Sequence, residues 1–227
     1  TWLFVNGVFI KMIIAIDGPA GSGKSTTAKL LAKKIGFIYL DTGAMYRAVT
    51  HYFLNNSADL TNSSEILQLL NEMNLKIDHQ NDEFTVFLDN KNVNNHIRKQ
   101  NINQFVSDVS KIGEVRKKMV EIQRNFSNKK DIVVEGRDIG SHVFPNADYK
   151  FFIKADILVR AERRFNEMSE SSISIPELAT QLEQRDMLDS NRAISPLVKA
   201  NDALVIDTTS LTIEEQVNKL YNIITNN

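Results

Sequence analysis

Residues 12–27 read MIIAIDGPAGSGKSTT, and the rest of the chain can be interpreted outward from them. Met12 to Ile16 is a short continuous apolar run bounded by Gly and Pro, the pattern of a strand buried in a parallel sheet. The chain then turns through Asp17-Gly18-Pro19-Ala20-Gly21-Ser22-Gly23 and resumes as the helix-forming run Lys24-Ser25-Thr26-Thr27-Ala28-Lys29-Leu30-Leu31. Gly18, Gly23, Lys24 and Ser25 fill the fixed positions of G-x-x-x-x-G-K-[ST], the P-loop. Glycines allow successive backbone N–H groups to converge on one anion, and the following helix N-terminus adds its partial positive charge. Residues 18–26 (Gly18, Pro19, Ala20, Gly21, Ser22, Gly23, Lys24, Ser25 and Thr26) are therefore the expected nucleotide-phosphate cradle. Lys24 would reach the β/γ-phosphates and the Ser25 hydroxyl would hold Mg²⁺. The bland alternative, a Gly-rich turn that merely joins strand to helix, is disfavoured because both flanking contexts are right.

At 227 residues the chain can bury one good core and a smaller appendage, so one domain with an insertion is expected. A composition of 42% hydrophobic and 24% charged residues is that of an ordinary globular protein. The net charge of −1 argues against a broad electrostatic surface for nucleic-acid polymers. Having no cysteine excludes thiol nucleophiles, disulfides and thiolate metal sites. His51, His79, His96 and His142 show no metal-ligand spacing. Residues 1–11, TWLFVNGVFIK, carry a hairpin signal at Asn6-Gly7 but are too short to span a membrane and lack a basic secretory n-region. They read as a leader foreign to the functional chain, whose removal would leave activity unchanged. A cytoplasmic location follows by default.

Further along, Gly36 reads as the cap of the first helix and residues 37–40 as a second strand. Asp41-Thr42-Gly43 ends that strand before a helix from Ala44 to Leu54. Asn62 and Glu65 have the spacing of a reciprocal helix cap opening a helix over 63–73. Alternation at 75–78 and 84–88, with turns at Asn81-Asp82 and 89–92, predicts a small antiparallel meander. Such a meander is foreign to a parallel sheet and suggests an insertion over 73–111. Helical patterning resumes at Asn101, with an apolar stripe of Val115, Met119, Ile122 and Phe126. Three more core strands are expected at 132–134, 149–153 and 203–206. Charged helices over 157–169 and 176–189 flank the Ser-rich SESSIS at 169–174, and Thr212 with Glu215 caps a terminal helix. The expected fold is α/β: a five-stranded parallel sheet with helices on both faces (12–72 and 112–227), a small antiparallel β insertion and a helical lid over about 156–174.

In such a sheet ligands bind at the strands' carboxyl ends. Strand one ends in the P-loop, strand two in Asp41-Thr42-Gly43-Ala44-Met45-Tyr46-Arg47, and strand three in Glu135-Gly136-Arg137-Asp138. Two arginine clusters follow, Arg160-Ala161-Glu162-Arg163-Arg164 and the run from Arg185 to Arg192. Guanidinium groups bind phosphate in a fork geometry and stay charged. An Arg run on a helix is commonly a solvated face. Beside a P-loop and ahead of a Ser-rich segment it reads instead as a lid that stabilises a transferring phosphoryl group and excludes water.

From Met12 to near its C-terminus the chain resembles the bacterial cytidylate kinases, nucleoside monophosphate kinases of the P-loop class. The P-loop alone would mark only a superfamily. The more specific features are LDTGAMYR at 40–47, the β insert, EGRDIG at 135–140, RAERR at 160–164 and RDMLDSNR at 185–192. The resemblance implies transfer of the ATP γ-phosphoryl group to CMP or dCMP with Mg²⁺. Thr42 and Arg47 would face the acceptor nucleotide, with Arg47, Arg137 and Arg192 on its phosphate. Ser107, Arg116 and Asp138 would read the cytosine edge, and Arg185 and Asp189 would contact the sugar. Lys24, Arg160, Arg164 and Arg192 would be catalytic, Arg160 and Arg164 as lid arginines near ATP. The implied protein is a cytoplasmic monomer acting on small molecules, with neither nucleic-acid polymer nor membrane as partner. The chain departs from some relatives in carrying Met187, Leu188 and Ser190 at basic positions and Glu135 where Asp stands.

The chemistry of the residues agrees. Cytosine offers an N4 amine donor where uracil has an acceptor, so a carboxylate at Asp138 would accept from one and repel the other. No strong general base is needed, because the attacking phosphate oxygen belongs to a group whose second pKa is about 6. Either Asp41 or Glu135 could support the metal through water. A kinase with a hydroxyl acceptor would call for an Asp placed as base, whereas the strand ends here offer arginines. A guanine-nucleotide switch would carry N/T-K-x-D after a late strand, and that strand here ends Asp207-Thr208-Thr209.

Overall fold

The computed structural model describes residues 4–5, 8–9, 11–80, 83–128, 130–168 and 173–226. In chain order the elements begin with β1 (Phe4–Val5), β2 (Val8–Phe9), β3 (Ile13–Asp17), α1 (Lys24–Ile35), β4 (Ile38–Asp41), α2 (Thr42–Asn55) and α3 (Ser63–Glu72). There follow β5 (Leu75–Gln80), β6 (Glu83–Leu88), β7 (Lys91–Asn92), α4 (Gln100–Val109), α5 (Gly113–Phe126) and β8 (Ile132–Gly136). A π-helical turn (Ile139–Val143) leads into β9 (Tyr149–Lys154), α6 (Ile157–Asn166), α7 (Ile175–Ser190), β10 (Leu204–Asp207) and α8 (Ile213–Thr225).

Every residue of β3 is buried, and so is every residue of β8. Strands covered on both faces read as continuous apolar runs, which is why 13–16 and 132–134 were recognisable from composition. They pair in parallel with Ile14 opposite Val133 and Ile16 opposite Glu135, while β9 flanks β3 on its other side with Ile16 opposite Phe151. The expected five-stranded sheet is present, with its strands in the order β10-β9-β3-β8-β4. Because β8 and β9 flank β3, the P-loop leaves the carboxyl end of the middle strand. A separate three-stranded antiparallel sheet, β5-β6-β7, is the expected meander. Its second turn is tight, with Asp89 and Asn90 both at positive φ (49° and 65°). The first turn, Asn81-Asp82, lies outside the described residues. At the N-terminus Phe4 pairs with Phe9 and Val5 with Val8, and the Asn6-Gly7 signal between them also lies outside the described set.

The chain divides into two compact units, one of residues 1–39 and 129–227, the other Leu40–Asn128. In the first, α1 packs on α8, β3 and β8, and α6 packs on α7. Its core holds Ile14, Ile16, Leu31, Val133, Phe151 and Ile153, all nearly inaccessible. In the second, α2 packs on α4, α5 and β6, and α3 on α5, around Met45, Val49, Phe53, Ile66, Val86 and Met119. Among the described residues no helix is long and apolar enough to cross a membrane.

Several boundaries differ from the sequence expectation for identifiable reasons. Helix α2 starts at Thr42 rather than Ala44, because the Asp41 side chain accepts from Ala44 N at 2.7 Å and caps it there. Asn62 caps α3 as expected, but Glu65 reaches past it and accepts from Asp59 N at 3.2 Å. Helix α6 ends at Asn166, and α7 starts at Ile175 with a Ser174–Glu177 capping box. Residues 169–172 of the Ser-rich stretch, and with them part of the expected lid, lie outside the described residues. On α5 the buried face is Val115, Arg116, Met119, Val120 and Gln123, so the expected stripe is turned toward two polar residues, leaving Ile122 and Phe126 half-buried.

Candidate active site

Gly18 opens the P-loop under severe steric constraint. A Cβ there would lie 2.1 Å from the Ile153 carbonyl oxygen of β9, so the first glycine is required by the neighbouring strand as well as by any phosphate. Gly23 (φ 86°) precedes α1, and no side chain caps that helix. Side chains cap α2, α3, α6, α7 and α8, whereas α4 and α5 share the uncapped start but are not preceded by a glycine loop. A helix start without a side-chain cap, after glycines at positive φ, is suited to an anion.

Beside the loop, Ser25 Oγ donates to Glu135 Oε2 at 2.7 Å, and Tyr39 OH donates to Glu135 Oε1 at 2.9 Å. Lys24 Nζ stands 3.9 Å from Glu135 Oε2 and is itself 8% exposed. The loop lysine and hydroxyl therefore meet at one buried carboxylate. Asp41, the other acid considered for metal support, is engaged within its own unit by Ala44 N and by Arg47 Nη2 at 3.2 Å. Ser25 and Glu135 are hard oxygen donors of the kind Mg²⁺ takes. Among the described residues no three His, Cys, Asp or Glu side chains gather as a metal cluster.

The P-loop is braced by side-chain contacts that were not apparent from sequence. Arg160, expected to face ATP, is buried and donates from Nη1 to Ala20 O at 3.0 Å while pairing with Asp186. Asp186 in turn accepts from Ala20 N at 3.1 Å, so one ion pair grips both backbone groups of a single loop residue. Arg163 donates to Thr208 O at 2.6 Å and to Ser22 O at 3.4 Å, and burial lowers its pKa. Thr208 Oγ1 also donates to Ser22 O, and Thr27 Oγ1 donates to the buried Gln216 at 2.8 Å. Arg164 is more exposed and pairs one turn on with Glu167 at 3.0 Å. Thr26 is exposed on α1 and Pro19 is half-buried.

Arg137, Arg185, Asp189 and Arg192 are brought together in this unit. Asp189 is 1% exposed, accepts from Arg137 Nε at 2.8 Å and pairs with Arg192 through its other oxygen. Burial acts to raise the Asp189 pKa, but the charges of Arg137, Arg192 and Arg185 outweigh it and hold the carboxyl below its ordinary value. For Arg137 burial acts to lower the pKa, and Asp189, Asp186 and Glu135 carry it above normal instead. Both groups stay charged. Asp138 is buried, and its carbonyl accepts from His142 N and Val143 N, closing the π-helical turn.

In the second unit Thr42 is buried at the start of α2, and Arg47 lies one turn on. Arg116 Nη1 donates to Ser110 O at 3.3 Å, and Ser110 Oγ donates to Ser107 O at 3.1 Å, which links two of the expected base-reading residues. The Arg116 guanidinium also lies 5.5 Å from the centre of the Tyr46 ring.

A parallel sheet with a P-loop after its middle strand, a Ser–Glu–Lys cluster beside that loop and arginines fixed on a buried carboxylate define a P-loop phosphotransferase. The chain belongs to the cytidylate kinase family, whose family model, described as cytidylate kinase, matches residues 14–226. It is 46% identical over 217 residues to a cytidylate kinase of Cytophaga hutchinsonii, covering 94% of this chain and 93% of that one. It is 48% identical over 209 residues to a cytidylate kinase of Fusobacterium nucleatum, covering 91% and 94%. Among solved structures, an uncharacterized protein from Eubacterium ventriosum aligns over 96% of this chain and 100% of that one, with TM-score 0.53 and 14% identity. That likeness concerns the fold alone.

Proposed function

We propose that the chain transfers the γ-phosphoryl group of ATP to CMP or dCMP, giving ADP and CDP or dCDP. The observation that carries this reading is Asp189, a buried carboxylate that holds Arg137 and Arg192 in place. Two guanidinium groups fixed in this way form a preorganised receptor for an acceptor phosphate. A hydroxyl acceptor would need a base in their place.

The P-loop, residues 18–26, cradles ATP. Lys24 stabilises charge that develops on the transferred group, and Arg160 and Asp186 hold Ala20 so that the loop keeps its shape. Ser25, with Glu135 behind it, would hold Mg²⁺, which would supply neutralisation of phosphate charge. On the acceptor, Arg47, Arg137 and Arg192 take the phosphate, Thr42 faces the nucleotide, and Arg185 and Asp189 take the sugar. Ser107, Arg116 and Asp138 read the cytosine edge, whose N4 amine finds a carboxylate at Asp138. The acceptor phosphate is already largely ionised at neutral pH, so alignment and charge neutralisation account for the catalysis. Arg164, free to exchange its exposed Glu167 partner, is the lid arginine that reaches the donor. The enzyme acts on small molecules, as a cytoplasmic monomer without nucleic-acid or membrane partners.

An ADP-release assay across a panel of nucleoside monophosphates tests the reading. Turnover should be highest with CMP and dCMP and depend on Mg²⁺. A faster reaction with AMP, GMP or a hydroxyl metabolite would overturn it.

A further inference from the structure

Asp17 ends β3 and directly precedes Gly18, yet it makes no part of the anion cradle. Its side chain turns instead toward the π-helical turn that follows β8. Oδ1 accepts from Ile139 N at 2.8 Å and Oδ2 from Gly140 N at 2.8 Å. In the ladder Asp17 lies opposite Gly136, the last residue of β8. Backbone pairing stops at that point, and the Asp17 carboxylate carries the connection three to four residues further. Arg137 and Asp138 are consequently suspended between two anchors, Gly136 in the sheet and Ile139–Gly140 on the carboxylate. The turn is also confined from the opposite side. A Cβ on Gly140 would lie 3.2 Å from Lys150 Cδ and 3.5 Å from Asp17 Oδ2. Lys150 is itself held by Asp202 at 2.6 Å and by the Pro145 carbonyl.

We propose that Asp17 is a positioning residue of the transfer reaction, its single carboxylate fixing the turn that bears Arg137 and Asp138 to the end of the strand that leads into the P-loop. This rests on the reading of those two residues as acceptor contacts. A group that merely capped a turn could sit at the surface, where its ionised form is hydrated. Asp17 is 4% exposed, and its carboxyl is pushed up to about 7 by burial against the opposing pull of the two backbone donors. The position carries a desolvation cost and spans the donor loop and the acceptor-bearing turn. In-line transfer needs the two reacting oxygens aligned to within a fraction of an ångström, and a shift of about 1 Å can cost roughly a hundredfold in rate.

The test is steady-state kinetics on the full chain with Asp17→Asn, which preserves size, keeps one acceptor and turns an NH₂ against the other backbone donor. The value of kcat should fall about ten- to a hundredfold and the KM for CMP rise about fivefold, with the KM for ATP within about twofold of wild type. Gly140→Ala moves the same turn from its other side without touching the P-loop, and should give a smaller effect with the same split. If Asp17→Asn lowers the melting temperature while both kinetic constants stay put, Asp17 is only a cap and the proposal fails. Equal losses for ATP and CMP would place its effect on the loop and also overturn it. Arg137→Ala run in parallel separates the premises. If it leaves the KM for CMP unchanged, the acceptor assignment is wrong and the proposal falls with it. If it raises that KM while both turn variants are silent, only the role of Asp17 is lost. Should Asp17→Asn fail to fold, Gly140→Ala decides alone, and an unchanged CMP constant there sinks the idea.

Discussion

Two backbone N–H donors pull the Asp17 carboxyl toward ionisation, and burial pulls harder the other way. The Asp138 charge adds to burial and Arg137 opposes it, leaving a pKa of about 7 in place of 3.8. The folded state therefore holds this proton more tightly than the unfolded chain. The stability contributed by the proton is fully present below about pH 4 and is lost as pH rises through about 7. Asp17→Asn removes the titration and leaves a constant offset. The stability advantage of wild type over this variant should shrink between about pH 4 and pH 8 in denaturant titrations, by a few kcal/mol at most. A pH-independent gap would show that the carboxyl titrates normally. Arg137 behaves differently, because the Asp189 charge beside it outweighs burial and carries its pKa above normal.

At the scale of elements, a buried amide ties α8 to the P-loop helix, which Lys34 also joins to α8 at the surface through Asn218 at 2.6 Å. Gln216 is fully buried, accepts from Thr27 Oγ1 at 2.8 Å and donates to Leu211 O at 3.1 Å. Gln216→Leu leaves the buried Thr27 hydroxyl without its partner, at about 1–3 kcal/mol, and frees the half-buried Leu211 carbonyl. The melting temperature should drop by roughly 2–10 °C for a chain of this size. The KM for ATP should rise more than that for CMP, since Gly23 and α1 lose their brace. Adding Thr27→Val should recover part of the loss, and strict additivity in calorimetry would refute the pairing. Braces of this kind were not legible in the sequence, because hydrogen bonds between residues 189 positions apart leave no local pattern. Gln216 and Asp186 look like ordinary polar positions on charged helices, and Arg163 was hidden among its neighbours in RAERR. What could be read were features with a local cause: the buried runs of β3 and β8, the cap at Gly36, and the Thr212 capping residue. Arg116 and Gln123 escaped the α5 stripe because an apolar count omits polar residues that a fold buries.

Across the whole molecule, folding and catalysis draw on different residues of the first unit. Its apolar core, with Ile14, Ile16, Leu31, Val133 and Phe151, lies in strands and helix faces, while the reactive groups stand at the strand ends. Lys24 tests that separation because it is buried and charged but contributes no apolar surface that methionine could not replace. Glu135 would retain Ser25 and Tyr39 as donors, at 2.7 and 2.9 Å, so losing an ammonium 3.9 Å away need not leave the carboxylate without partners. Lys24→Met should therefore melt within roughly 3 °C of wild type, a shift of about 1 kcal/mol. Turnover with CMP should nevertheless fall at least about a hundredfold, since a charge fixed on the transferring phosphoryl group is worth most where water is excluded. Thermal melts and ADP release on the same preparations decide between the outcomes. Near-normal turnover would remove Lys24 from the catalytic set. A collapse of stability with the activity would instead make the Lys24–Glu135 pair a structural element of the fold, with its loss felt by both folding and chemistry.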